Sequence, residues 1–222
     1  MAVLHGIPGE WARVKGTVTG LWPVFLGVFV LGISLPLLFL LSLAFGLILV
    51  VASLVWIVYA ILKGLRRVES YFVGARGEES VASILKQIPD SYHVFNDYLH
   101  VDHVVVGPAG VFAVETKCWN GPVTIEDGQI LINGRLPNRA PLNQVKDEAR
   151  LVAEALKKLG WAGSVTPLLI FASNSFVPRR VELDRVVVMN ASELIDSFKT
   201  DRIVLSPSEV ERLVRLMESF VC

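Results

Sequence analysis

Residues 21–62 read LWPVFLGVFVLGISLPLLFLLSLAFGLILVVASLVWIVYAIL, without one charged side chain. No other feature restricts so strongly what this chain can fold into. One membrane-crossing helix takes about 20 apolar residues, and this run is roughly twice that length. A secretory signal has a far shorter apolar core and a small-residue cleavage site after it. A single unbroken helix would overshoot the bilayer, and the core of a soluble domain rarely needs so long an uncharged run. The pattern reads as an all-α transmembrane hairpin over residues 17–64. Its bend is expected near Gly32-Ile33-Ser34-Leu35-Pro36, where glycine and proline both weaken a helix.

A hairpin returns the chain to the side it left. Arg13 and Lys15 precede the apolar run, and Lys63, Arg66 and Arg67 follow it. The positive-inside rule puts both flanks, and so both termini, on the cytoplasmic side of the cell membrane. Trp22 and Trp56 are expected near the membrane interfaces, and residues 1–16 become a short cytoplasmic lead. Spans without a charged side chain argue against an ion path.

Of 222 residues 53% are hydrophobic, above the usual share for a soluble domain, and the excess lies in that run. Residues 68–222 are enough for one ordinary domain. Before Lys63 only Glu10, Arg13 and Lys15 are charged and the whole chain is formally neutral, so this part is nearly neutral too. No broad basic face is available for tight, non-specific duplex binding. Cys118 and Cys222 form neither a disulfide framework nor a metal-type spacing, which suits a reducing compartment.

Gly74-Ala75-Arg76-Gly77 reads as a short linker opening a helix over 78–87, with Val81, Ile84, Leu85 and Ile88 at helical spacing. Strands are predicted at 92–96, 99–106 and 111–117, then a hairpin of 123–125 and 129–132 around Glu126-Asp127-Gly128. A long helix over 142–159 carries Val145, Ala149, Val152, Ala153, Leu156 and Leu159 as its apolar stripe, with Gly160 as its cap. Buried strands follow at 166–172 and 186–189, and helices at 191–198 and 207–220. Ser206, Pro207 and Glu209 supply a helix start of the capping-box type. The fold class is α/β: a mixed central sheet with helices on both faces.

Within the sheet, VDHVVVGPAGVFAVETK sets Asp102, Glu115 and Lys117 into apolar strands. In the register of a turn centred on Pro108-Ala109, Asp102 falls opposite Glu115. Lys117, two residues on, shares the face of Glu115. Cross-strand carboxylates about 5 Å apart repel by roughly 3 kcal/mol at an effective dielectric near 20. A divalent cation between them would relieve this, and oxygen ligands suit Mg²⁺ or Mn²⁺. Lys117 would then orient a water or stabilise negative charge on phosphate. The competing reading pairs one carboxylate with Lys117 and leaves the other at a solvated strand end. His103 falls on the opposite sheet face and reads as packing or a satisfied hydrogen bond. His100 also flanks Asp102; Lys146, Arg150, Lys157-Lys158 and Arg179-Arg180 are candidates to touch phosphates, though individually they read as solvated charges.

The stretch VDHVVVGPAGVFAVETKCWNGPV resembles the core of the nuclease-related domain, NERD, a branch of the restriction-endonuclease-like PD-(D/E)xK fold. Gly77-Glu78-Glu79-Ser80-Val81 is similar to that family's G-E-x-x-V, and Asp102-His103-Val104-Val105-Val106 to its aspartate strand. Glu115-Thr116-Lys117 is similar to its E-x-K, Trp119-Asn120-Gly121 to the aromatic and glycine after it. Pro141-Leu142-Asn143-Gln144 is similar to the start of its next helix. Cys118 departs from the asparagine often found there and reads as a half-buried strand-end residue. The resemblance implies a hydrolase site with Glu78, Asp102 and Glu115 as metal ligands, Lys117 serving the attacking water and Gln144 as an accessory group. Glu79 is the neighbouring candidate if the helix phase differs. The implied function is a membrane-anchored, Mg²⁺- or Mn²⁺-dependent nuclease acting on nucleic acid, DNA before RNA. The alternative is a catalytically inactive membrane-tethered module that binds nucleic acid or protein.

Overall fold

The structure, a computed structural model, describes residues 1–40, 43–173, 175–199 and 203–221, so Cys222 lies outside the described residues. The chain divides into two compact units, one of Glu10–Ala75 and one of Met1–Gly9 with Arg76–Cys222.

The first unit is two antiparallel helices, α1 (Glu10–Leu40) and most of α2 (Leu43–Leu85). Glycines set their close approach. A Cβ on Gly16 would stand 2.5 Å from that of Tyr71, one on Gly20 2.4 Å from a Val68 methyl, and one on Gly64 2.4 Å from the Gly20 carbonyl. Gly16 and Gly20 are one turn apart, the small-xxx-small spacing that lets two helices pack backbone to backbone in an apolar medium. Both helices are long and apolar enough to cross a membrane, and only 17% of each apolar window is buried. The core helix of a soluble protein would be mostly covered.

The expected bend at Gly32–Pro36 is not there. α1 runs through Pro23 and Pro36 to Leu40, and α2 begins at Leu43. One proline removes only one intrahelical hydrogen bond, and the neighbouring turns keep theirs. The linker expected at Gly74-Ala75-Arg76-Gly77 is absent too, because α2 continues through it without a break. Gly77 serves packing instead: a Cβ there would stand 2.8 Å from the Cβ of Cys118.

The second unit is a mixed seven-stranded sheet. Its strands are β1 (Val3–His5), β2 (His93–Tyr98), β3 (Val101–Gly107), β4 (Gly110–Lys117), β7 (Val165–Phe171), β8 (Arg180–Leu183) and β9 (Val186–Asn190), in the order β1-β2-β3-β4-β7-β9-β8. β5 (Val123–Glu126) and β6 (Gln129–Ile132) form a separate hairpin. β2, β3 and β4 are antiparallel in sequence, and β4, β7 and β9 run parallel. The parallel step from β4 to β7 needs a crossover, which α3 (Pro141–Lys158) supplies.

On one face Val104, Val106, Val111 and Ala113 pack under Val152 and Leu156 of α3 and Leu213 and Met217 of α5 (Pro207–Val221). On the other face Val105, Val114 and Ile170 pack under Val81 and Leu85 of α2 and Leu194 and Phe198 of α4 (Leu194–Phe198). The mixed sheet covered by helices is the α/β class expected. Two strands went unread: β1, which pairs Val3, Leu4 and His5 with His93, Val94 and Phe95, and β8 on the far edge.

Candidate active site

β3 and β4 pair His103 with Val114, Val104 with Ala113 and Gly107 with Gly110. The pairing stops at His103 and Val114; carried one step on, the register would set Asp102 against Glu115, and Asp102 Oδ2 accepts the Thr116 backbone N–H at 2.7 Å. Asp102 continues the face of Val104 and Val106, and Glu115 and Lys117 that of Val111 and Ala113. The three polar side chains therefore extend the apolar face that α3 and α5 cover.

α3 brings the fourth group. Pro141 opens the helix, which places Gln144 in its first turn over the end of β4. The Gln144 Oε1 accepts from Lys117 Nζ at 2.9 Å, while its Nε2 donates to Glu115 Oε1 at 2.7 Å and to Glu148 Oε1 at 2.8 Å. Lys117 Nζ also donates to Glu115 Oε1. One amide thus ties together the lysine and two carboxylates, and this pattern fixes which end of the amide is oxygen.

Glu78 enters from α2 and is buried. Burial, then the Asp97 and Glu115 carboxylates, push its carboxyl up to about 7. Asp102 is held well above the ordinary carboxylate range by burial first, then by Glu115 and Glu78. Glu78 therefore interacts electrostatically with Asp102 and Glu115, although Val81 and Leu85 of its helix pack on the opposite face of the sheet. Its helix neighbour Glu79 is half-buried, so the phase selects Glu78 for the cluster.

Two acids escaped the sequence reading. Glu148 is pushed up to about 8 by burial and then by Glu115. It lies one helical turn beyond Gln144, and that i, i+4 spacing could have revealed it. Asp97 sits where β2 faces the start of β3, with φ at +53°, and acts on Glu78. Its strained backbone has no signature in sequence.

His103 is fully buried on the opposite face. Asn96 Nδ2 donates to the carbonyls of His5 and Gly6, so its Oδ1 is left to accept from His103 Nδ1 at 2.8 Å. Burial pushes the imidazole down to about 3, so it is neutral at any ordinary pH. Cys118 is half-buried at the end of β4 against Gly77. Lys146 is paired with Asp184, and Arg180 bonds Ser197.

The donor set, all carboxylate oxygen, has the chemistry a hard cation requires. Glu78 Oε2 and Glu148 Oε2 are buried without a hydrogen-bond partner, a costly arrangement for carboxylates unless something binds them. Against this, among the described residues no three acids are gathered closely enough to hold a metal ion as they stand. Glu115 is instead engaged by Lys117 and Gln144.

No curated protein and no solved structure matches the chain. A family match does exist, to the nuclease-related domain, and it covers residues 73–172. That span contains Glu78, Asp102, Glu115, Lys117, Gln144 and Glu148, together with every strand from β2 to β7. Residues 73–172 are therefore similar to the nuclease-related domain, and the buried acids, the strand-end lysine and the glutamine joining them all fall inside that span.

Proposed function

We propose that the domain is a divalent-cation-dependent nuclease that hydrolyses nucleic-acid phosphodiester bonds, DNA before RNA, held at the cytoplasmic face of the cell membrane by α1 and α2. The observation that carries this reading is the Lys117–Gln144–Glu115 constellation beside Asp102, inside the span similar to the nuclease-related domain. Asp102, Glu115 and Glu78 would hold Mg²⁺ or Mn²⁺. A bound cation would supply charge neutralisation and a more acidic water. Lys117 presents an ammonium to the site, where it orients the attacking water and offsets charge growing on phosphate. Gln144 holds Lys117 in line and keeps Glu115 fixed. The tether is supported by two largely uncovered apolar helices with basic residues before and after them.

The full chain in detergent, given Mg²⁺ or Mn²⁺, should cut single-stranded or duplex DNA more readily than RNA. EDTA should stop it, and Lys117→Ala should slow it by about 10²–10⁴-fold. Cleavage that survives both changes refutes the reading. A second reading, an inert binding module, is favoured by the closed Lys117–Glu115 pair and predicts binding without turnover.

A further inference from the structure

Beside Lys117 and Gln144 lies a cavity of about 810 Å³ whose other walls include Trp119, Arg135, Leu136 and Arg139. We propose that it is the track for one unpaired nucleic-acid strand, with Arg135 and Arg139 holding backbone phosphates and Trp119 stacking on a base. The proposal rests on the nuclease reading for the position of the scissile phosphate, next to Lys117.

Arg135 is placed rather than loose. Asn133 and Gly134 have φ of +51° and +71°, and Ile132 and Arg135 exchange both backbone hydrogen bonds, at 2.9 and 3.0 Å. This is a two-residue turn of the primed type, which only such residues form cheaply. The turn is tied down, since Asn133 Nδ2 donates to the Asn120 carbonyl at 3.1 Å and its backbone N–H to that of Pro122 at 3.0 Å. Neither arginine has an ion-pair partner among the described residues, so both forks are open to an anion.

Trp119 packs against Phe171 at 5.5 Å between ring centres, and its backbone carbonyl accepts from Ser173. It is only half-buried, and its remaining surface lines the cavity. An aromatic side chain and two cations lining one cavity are the groups that grip single strands, whose bases are exposed for stacking. A duplex hides its base faces and is held by a wider basic surface, which this nearly neutral chain does not offer.

The test is fluorescence anisotropy with the full chain in detergent and EDTA, using oligo(dT), oligo(U) and a duplex of equal length. Wild type should bind the single strands about tenfold tighter than the duplex. The Arg135→Ala/Arg139→Ala double variant should weaken that binding about tenfold and lower the log–log salt slope by about 1.4, two contacts at 0.7 each. Trp119→Ala should weaken it about tenfold, and Trp119→Phe should restore it. Unchanged affinity in the double variant, or equal affinity for duplex, overturns the proposal. Cleavage assays separate the two readings. If wild type cuts and the double variant cuts single strands with unchanged KM, the track is wrong and the nuclease stands. Arginine-dependent binding without any cutting reverses that outcome.

Discussion

The two ends of the β3–β4 pair share one face and differ completely in character. Toward the turn, Val104, Val106, Val111 and Ala113 lie in an apolar core beneath α3 and α5. At the other end the same face carries Asp102, Glu115 and Lys117, with Gln144 and Glu148 above them. The change takes a single pair of residues. Burying a carboxylate beside others costs stability, and a well-packed apolar replacement is often neutral or better. The polar end is therefore a fixed expense of the fold, consistent with chemistry at that end and only packing at the other.

The comparison breaks most visibly if the polar end is extended by one pair. Val104→Asp puts a carboxylate among fully buried apolar groups, with no lysine or glutamine to receive it. The expected loss exceeds about 4 kcal/mol, in the range of an unpartnered buried charge, and should unfold the domain. Hydrogen exchange of peptides covering residues 93–117 in the full chain in detergent reads this directly. A folded, protected variant would show that the apolar end tolerates acids too. Next in size is Leu156→Ala, which leaves a hole over the apolar end and should cost about 2–5 kcal/mol by the same measurement. It should leave cation binding at the polar end unchanged.

Both ends were legible in sequence to different degrees. The alternation of β3 and β4 and the tight turn at Pro108-Ala109 fix the register, so Asp102, Glu115 and Lys117 could be put on one face. The stripe of α3 and the start of α5 were equally open to reading, because their signals are local. The parallel pairing of Val3–His5 with β2 joins residues far apart in sequence and leaves no such trace. Nor does composition show that α2 continues through Gly74 and Gly77, since Gly77 answers to Cys118 on another element. Glu148 and Asp97 belong to the cluster only through tertiary packing. The resemblance named the residues of the core motif, and the acids around them had to come from the fold.

The polar end should also set the pH dependence. Glu78 and Glu148 titrate near 7 and 8 in the folded chain against an ordinary 4.5, and Asp102 is raised as well. The folded state then holds protons that the unfolded chain has lost. The stability these acids contribute is fully present below about 4.5 and is lost as pH rises through the window from 4.5 to about 8. Buried His103 contributes the opposite trend, but only below its ordinary 6.5. Between pH 6.5 and 8.5 the acids act alone, so unfolding temperature should decline with pH. Glu78→Gln and Glu148→Gln should each flatten the decline and raise stability at pH 8. Mn²⁺ should stabilise wild type most at the alkaline end. An unchanged slope in both variants would mean that the acids are ionised and solvated, and the contrast between the two ends would dissolve.

The smallest effect checks whether the two ends are energetically separate. Ser206 caps α5: its Oγ accepts the Glu209 backbone N–H at 3.4 Å, and Glu209 Oε2 accepts the Ser206 backbone N–H at 2.8 Å. Ser206→Ala removes the hydroxyl half of this exchange and should cost about 1 kcal/mol. α5 covers only the apolar end, through Val210, Leu213 and Met217, and its cap touches none of the acids. The variant should therefore lower the unfolding temperature by the same amount at pH 6.5 and at pH 8.5. Distant, unshared contacts add in this way, whereas groups in one network do not. If the loss at pH 8.5 were clearly the larger, α5 would be bracing the charged end as well. The abrupt step between Val104 and Asp102 would then be a boundary in composition and not in energy.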